Sequence, residues 1–152
     1  MFQKEIYINR RQELKKRIKS GVILILGNNE APMNYATNTY PFRQDSTFLY
    51  FFGLDLPGLA GVIDIDNDRE IIFGDDFSLE DIIWTGPQPS VSDNAQKAGI
   101  SITHPFEKLS EILSEAIKNN RPIHFTPPYR YDNILLLAEL LNIHSREVAR
   151  HA

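Results

Sequence analysis

An uninterrupted aliphatic run limits the folds that this chain can adopt. The run Val22–Leu26 lies between Gly21 and Gly27 and contains no polar side chain. A strand without polar alternation is typical of a sheet whose two faces are both covered by helices. Five residues are also far fewer than the roughly 18 apolar residues that a membrane helix needs. We therefore predict an α/β domain with a helix-covered sheet and no membrane partner.

Size and composition favour one globular domain. The chain has 152 residues, of which 42% are hydrophobic, and a chain of this length can bury one sizeable core. It has no cysteine, which excludes disulfides, thiol catalysis and cysteine-ligated metal sites and fits a reducing compartment. The first residues, Met1–Glu5, lack a basic stretch followed by an apolar core, so we expect no signal peptide. Together these features predict a soluble cytoplasmic protein.

Charged residues are unevenly distributed, although the net charge is only −4. Residues 1–20 contain seven Lys or Arg, whereas residues 45–81 contain ten Asp or Glu and a single basic residue, Arg69. A basic helix can mark a nucleic-acid interface, but these bases are not interleaved with aromatic residues in the manner of a stacking platform. We therefore favour a solvated helix face and predict no nucleic-acid partner.

Hydrophobic periodicity and turn residues divide the chain into alternating helices and strands. In the first half they predict a helix over Tyr7–Ser20, a loop over Asn28–Gln44, a strand over Thr47–Phe52 and a hairpin of Ala60–Ile65 with Glu70–Phe73. In the second half they predict short helices beginning near Ser78 and Ser92, strands over Ile100–Thr103 and Ile123–Phe125, and longer helices over Phe106–Asn119 and Tyr131–Leu141. The last helix is apolar nearly all round, which is typical of a helix buried on several sides. This order predicts a mixed sheet in an α/β domain.

No set of residues in the sequence has the spacing of a catalytic or metal-binding motif. Residues Asp64–Asp68 resemble the start of a calcium loop, but the sixth position is Arg69 instead of glycine and the twelfth is Asp75 instead of glutamate. We therefore interpret this segment as a hairpin turn. The four histidines lack metal-ligand spacing, and phosphate-binding glycine loops and the Gly-x-Ser-x-Gly elbow are missing. We predict no catalytic residue, metal ligand or cofactor in this chain.

Two segments place charged or aromatic residues in unusual settings. The first, Tyr40–Gly53, is a dense aromatic stretch that also contains Arg43, Gln44 and Asp45. We expect Arg43 and Asp45 to be desolvated and structural, with Asp45 capping backbone N–H groups and Arg43 binding carbonyls or carboxylates. The second segment, Ile82–Pro87, holds the only tryptophan, Trp84, directly before a turn. From the residues alone, Trp84 can be either core filler or a surface aromatic.

These segments resemble motifs of the N-terminal domain of Xaa-Pro aminopeptidases and Xaa-Pro dipeptidases, in the creatinase/prolidase superfamily of metallopeptidases. The family's Tyr-Pro-Phe-Arg-Gln-Asp-Ser stretch, followed by an element-ending glycine, matches residues 40–53, and its Ile-Trp-x-Gly-Pro matches residues 83–87. The resemblance implies a three-layer fold over residues 1–143, with helices on both faces of a mixed sheet and a ribonuclease H-like motif. It also implies that residues 144–152 begin the linker to a C-terminal catalytic domain absent from this chain. From the residues themselves, we expect the tail Arg146–Ala152 to be disordered.

The resemblance also implies a function for the parent protein. The family's catalytic domain binds two divalent metals, with manganese expected, and hydrolyses Xaa-Pro bonds, whereas the N-terminal domain forms a dimer or higher homo-oligomer and shapes a neighbour's substrate entrance. The implied partners are therefore the chain's own catalytic domain, a second copy and proline-containing peptides. The resemblance assigns Trp84 and Arg146 to the entrance. It assigns a structural role to Tyr40, Pro41, Arg43, Gln44, Asp45, Ser46, Gly86 and Pro87.

Two departures from the family pattern bear on substrate preference. Residues Ala36–Thr39 lack an acidic residue that some members carry there, and Thr85 and Gln88 occupy positions where relatives often have Asp and Arg. The alternative to a peptidase domain is a stand-alone module of the same fold that binds a peptide or protein.

Overall fold

A five-stranded mixed sheet forms the centre of the computed structural model, which describes residues 2–30 and 41–152. The strands are β1 (Val22–Leu26), β2 (Ala60–Asp64), β3 (Arg69–Phe73), β4 (Ile102–His104) and β5 (Ile123–His124), in the spatial order β4-β3-β2-β1-β5. Neighbours β1, β2 and β3 pair antiparallel, whereas β5 runs parallel to β1 and β4 runs parallel to β3. The predicted hairpin and mixed sheet are confirmed.

Six α-helices and two 3₁₀ helices surround the sheet in the described ranges. The α-helices are α1 (Lys4–Ile18), α2 (Ser46–Phe52), α3 (Leu79–Thr85), α4 (Val91–Lys97), α5 (Leu109–Lys118) and α6 (Tyr131–Leu141), and the 3₁₀ helices are Phe106–Lys108 and Ser145–His151. Within residues 2–30 and 41–152, none of these helices combines the length and apolar character required to cross a membrane.

Alternating side chains of the strands separate the core into two clusters, one on each face of the sheet. Val22 and Leu24 of β1 pack with α5 and α6 on one face. Ile23 and Ile25 of the same strand pack with α1, α2 and α4 on the other face. The uninterrupted aliphatic run is therefore buried from both sides, and the predicted three-layer α/β fold is confirmed.

The strand predicted over Thr47–Phe52 is wrong, because this segment forms helix α2. The Asp45 carboxylate accepts a hydrogen bond from the backbone N–H of Phe48 at 2.9 Å and so caps the start of the helix. Gly53 ends it in the left-handed conformation, with φ of 67°. Phe48 and Phe52 lie four residues apart and are both buried against the sheet, so helical spacing buries the aromatic residues better than alternation would.

Three smaller expectations are also corrected. Helix α4 is capped by Ser90 rather than Ser92, through a reciprocal capping box with Asp93. Helix α6 is less enclosed than its composition indicates, since Leu135 and Tyr131 are exposed. The last residues are not a disordered tail, because they form a 3₁₀ helix whose Val148 is buried in the cluster beneath α5 and α6.

The basic side of α1 is only partly solvated, in contrast to the prediction. Arg11 is fully buried, and its guanidinium donates to the Phe51 carbonyl at 2.8 Å, to the Ala98 carbonyl at 2.6 Å and to the Glu70 carboxylate at 3.1 Å. Lys15, one turn further along, also lies within 3.4 Å of Glu70. Burial lowers the pKa of Arg11, and the negative charge of Glu70 opposes that shift. One side chain therefore connects α1 with α2, α4 and β3.

We predict that Arg11→Ala lowers the free energy of unfolding by about 3 kcal/mol, because two buried carbonyls and Glu70 lose their donor. Arg11→Lys is expected to restore little of this loss, since an ammonium cannot reproduce the planar fork of donors. Arg17→Ala, on the exposed side of the same helix, is the matched control and should change stability by less than about 0.5 kcal/mol. Urea unfolding followed by circular dichroism measures all three variants, and equal midpoints for Arg11→Ala and Arg17→Ala would contradict the assignment.

A second buried charge, Asp64, closes the hairpin at the end of β2. Its carboxylate accepts hydrogen bonds from the side chains of Asn67 and Arg69, both at 2.9 Å, and from Arg121. Arg121 also binds Asp66 at 2.8 Å, so the turn between β2 and β3 is joined to the residues that precede β5. Burial alone would raise the pKa of Asp64, but these hydrogen bonds outweigh it and lower the pKa to about 2.

This shift predicts how stability depends on pH. Because the pKa of Asp64 is lower in the folded chain than its ordinary value of 3.8, the carboxylate stabilises the fold above that value and loses its contribution as the pH falls toward 2. We expect Asp64→Asn to be about 2 kcal/mol less stable than wild type at pH 6, with the difference shrinking between pH 5 and pH 2. Urea unfolding across this range tests the prediction. A difference that stays constant with pH would refute it, and the exposed Asp55→Asn variant supplies the baseline.

Candidate interaction surface around Trp84

Helix α3 carries large apolar side chains that point into solvent. Trp84 is 82% exposed, Leu79 is 81% exposed and Ile83 is 79% exposed, and Phe77 just before the helix is half exposed. Leu79 and Ile83 lie four residues apart and so share one side of the helix. We call this group the α3 patch (Phe77, Leu79, Ile83 and Trp84). The interpretation of Trp84 as core filler is wrong.

The end of α3 places Trp84 at the edge of a turn. The Gly86 N–H donates to the Ile82 carbonyl at 2.8 Å, and Gly86 has a φ of 83°, which other residues rarely adopt. Among the described residues other than its chain neighbours, no atom lies within 4 Å of the position where a Cβ on Gly86 would stand, so the positive φ rather than crowding favours glycine here. Pro87 follows the turn and is exposed.

The aromatic motif of residues 41–53 is organised by Gln44, which is buried. Its side-chain oxygen accepts from the N–H of Asn28 at 2.8 Å and of Asp45 at 3.1 Å, while its amide nitrogen donates to the carbonyls of Leu54 at 2.9 Å and Leu56 at 2.8 Å. All four hydrogen-bonding positions of this amide are therefore used. Such a pattern holds the chain on both sides of α2 and indicates a structural role.

The other motif residues divide between structure and surface. Asp45 caps α2, as predicted, and Ser46 is the first residue of that helix. Arg43 is exposed, so the prediction that it is desolvated is wrong; in the described residues its backbone carbonyl, rather than its guanidinium, takes part in the loop, by accepting from the Asn28 amide at 3.1 Å. Pro41 is exposed, and Tyr40 lies outside the described residues.

A polar cluster that sequence reasoning missed extends from Gln44 to α6. Buried Asn28 donates to the Tyr129 hydroxyl at 3.0 Å and accepts from the amide of buried Asn133 at 3.2 Å. These residues lie about a hundred positions apart, and no local pattern pairs them. The available signal was Asn28 itself, an amide residue that follows the buried strand β1 after Gly27, near the edge of the sheet.

Arg146, the other residue assigned to the entrance, lies in the C-terminal 3₁₀ helix and is exposed. Its backbone N–H donates to the His144 ring at 3.2 Å. Across the described ranges, no hydrogen bond or ring contact joins its side chain to Trp84. The structure thus does not bring these two residues together within this chain.

The chemistry offered by the described side chains is that of a binding surface. In residues 2–30 and 41–152, no three His, Cys, Asp or Glu side chains converge as metal ligands. The neighbouring carboxylates Asp64 and Asp66 form ion pairs with Arg69 and Arg121. The α3 patch, in contrast, exposes four large apolar side chains to solvent within a short segment of the chain.

Relatives of this chain are peptidases several times its length. The chain is 28% identical over 134 residues to the mitochondrial intermediate cleaving peptidase 55 of Arabidopsis thaliana, covering 86% of this chain and 27% of that protein. It is 28% identical over 98 residues to the human Xaa-Pro dipeptidase, covering 64% of this chain and 20% of the relative. The chain therefore spans about a quarter of the length of such relatives.

Solved structures show the same fold. Aminopeptidase P of Escherichia coli, in its low-pH form, superposes with a TM-score of 0.77 at 22% identity, over 93% of this chain and 33% of that chain. The proline aminopeptidase P II of Yersinia pestis gives a TM-score of 0.76 at 23% identity over the same shares. The sequence profile of the family described as "Aminopeptidase P, N-terminal domain" matches residues 7–124. With more than half of its length matched, the chain belongs to the aminopeptidase P N-terminal domain family.

Proposed function

We propose that this chain is the non-catalytic N-terminal domain of a Xaa-Pro peptidase, in which it supports oligomer formation and shapes the substrate entrance of a neighbouring subunit. The observation that carries the proposal is the exposure of Trp84 within the α3 patch. A tryptophan buries a large area with few rotamers when it meets a partner, which is why it is favoured at interfaces. Its position at the end of an exposed helix suits contact with a second molecule.

The relatives support the catalytic part of this proposal. They include proteins named Xaa-Pro aminopeptidase and Xaa-Pro dipeptidase, of which this chain matches about a quarter or less. We assign hydrolysis of the Xaa-Pro bond to a C-terminal domain in the remaining length. That domain would hold two divalent metals, with manganese the expected ion, because the described residues of this chain do not supply the ligands. Arg146 is proposed as a second residue at the entrance, and the cytoplasm as the location.

The alternative is a stand-alone module that uses the same α3 patch to bind a peptide or protein. The coding sequence beyond residue 152 distinguishes the two. An open reading frame that encodes the two Asp, one His and two Glu ligands of a dinuclear peptidase supports the proposal, whereas an immediate stop codon supports the module.

We predict that the 152-residue chain alone has no Xaa-Pro peptidase activity and binds no stoichiometric divalent metal. The physical reason is that no three potential ligands gather around one point in the described residues, while Asp64 and Asp66 bind arginines and Asp45 binds a backbone N–H. Assays with a Xaa-Pro dipeptide and Mn²⁺ or Co²⁺, together with calorimetric metal titration, measure both quantities. Turnover that persists through repeated purification would contradict the assignment of catalysis to a separate C-terminal domain.

For the full-length protein, we predict that Trp84→Ala lowers kcat/KM on longer proline-containing peptides by at least about fivefold, the effect of losing about 1 kcal/mol of contact. The melting temperature should change by less than about one degree, since the side chain is exposed in the domain. Tyr131→Ala removes another exposed aromatic residue, on α6, and serves as the matched control with unchanged kinetics. In the 152-residue chain, Trp84 emission should be red-shifted and quenched by acrylamide. Unchanged kinetics of Trp84→Ala would remove the residue from the entrance.

A further inference from the structure

We propose that Asp76 is a positioning residue that closes the segment carrying Trp84. This segment, the α3 arm (residues 75–90), leaves the sheet at the end of β3 and returns at the start of α4. The catalytic consequence of the inference rests on the function proposed above, whereas the positioning itself can be tested independently of it.

A hydrogen bond from one end of the α3 arm to the other closes it. The Asp76 carboxylate accepts from the backbone N–H of Val91 at 2.6 Å, across fifteen positions of the sequence. Hydrogen bonds of N–H groups to carboxylates are stronger than those to neutral acceptors. Asp76 therefore joins the start of the arm to Val91, the first residue of α4, although its side chain is exposed.

Each end of the α3 arm is in turn attached to the body of the domain. At the entry, the neighbouring Asp75 accepts from the N–H of Phe106 at 3.2 Å, and the Gly74 N–H donates to the His104 carbonyl at 3.0 Å. At the exit, the Ser90 capping box fixes the start of α4, and Val91 packs against the core cluster of that face. Asp76 thus connects two points that are themselves anchored.

The side chains of Leu79, Ile83 and Trp84 in the outer part of the arm are exposed, so these three residues contribute little packing that would fix its orientation. An open surface pocket of about 270 Å³ also lies at the base, lined by residues that include Pro57, Phe77 and Pro89. Solvent therefore reaches the base of the arm on this side, and packing does not enclose it there. The hydrogen bond from Val91 to Asp76 is therefore one of the contacts that we expect to set the direction in which Trp84 points.

The lone tryptophan makes this inference directly measurable. Time-resolved fluorescence anisotropy of the 152-residue chain reports the local motion of Trp84 alone, because no other tryptophan is present. We expect Asp76→Ala to lower the slowly decaying fraction of the anisotropy at least about twofold. Asp76→Asn keeps an acceptor oxygen and should retain most of the wild-type value, and Asp55→Ala is the control for removing an exposed carboxylate.

A second variant removes the donor instead of the acceptor. Val91 is the first helical residue of α4, a position where proline is tolerated, and Ser90 already has the extended conformation that precedes a proline. Val91→Pro should therefore keep α4 and lower the slow fraction as Asp76→Ala does, with no further loss in the double variant. Far-UV circular dichroism and the melting temperature confirm that each variant is folded.

The results separate the two proposals. Wild-type anisotropy in Asp76→Ala or in Val91→Pro would overturn the positioning role of Asp76, whatever the activity of the full-length protein. If both variants loosen Trp84, the positioning role stands, and the full-length Asp76→Ala enzyme should then show a higher KM for longer peptides with kcat little changed. Failure of the proposed entrance role would instead be seen in Trp84→Ala, as unchanged kinetics.

Discussion

The buried guanidinium of Arg11 is the interaction on which one whole layer of this domain depends. Its three hydrogen-bonding partners, Phe51, Ala98 and Glu70, belong to α2, the end of α4 and β3. A buried charge is tolerated only when it is neutralised and its donors are used, and the group satisfies both conditions. All three hydrogen bonds come from one guanidinium and reach residues up to 87 positions away in the sequence. Moving α1 away from the sheet would therefore break all of them.

A neutral polar cluster joins separate parts of the chain at the edge of the sheet where β1 ends. The Gln44 side chain accepts a hydrogen bond from the backbone N–H of Asn28. The Asn28 side chain in turn donates to Tyr129, just before α6, and accepts from Asn133 within α6. Amides suit this position because one side chain can both donate and accept without the desolvation cost of a charge. Two residues of the aromatic motif therefore stabilise the fold. Gln44 accepts from the backbone N–H of Asp45, and Asp45 caps the start of α2.

The parts of the fold that could be predicted from the sequence are those set by local patterns. The aliphatic run of β1, the hairpin and the periodicity of α5 each appear within a few residues, and the structure agrees with them. Helix α2 was mispredicted because its β-branched and aromatic residues favour a strand, whereas the cap at Asp45 and the left-handed Gly53 decide for a helix. The burial of Arg11 could not be foreseen, because its partners are distant in sequence. The exposure of Trp84 was left open by its residues, since an aromatic residue beside a turn fits core and surface equally.

Large apolar side chains are buried in the sheet and its covering helices but exposed in the α3 arm. In the body, phenylalanines such as Phe48, Phe52 and Phe73 are removed completely from water, and burial of this kind stabilises the fold. In the arm, side chains of similar size stay in solvent and contribute little to the same balance. Changes far apart with no shared partners act independently on stability, so residues of the α3 patch can vary without loss of the fold. This separation suits the recognition role proposed for the α3 patch, because substitutions there leave the contacts of Arg11 and of the Gln44 cluster in place.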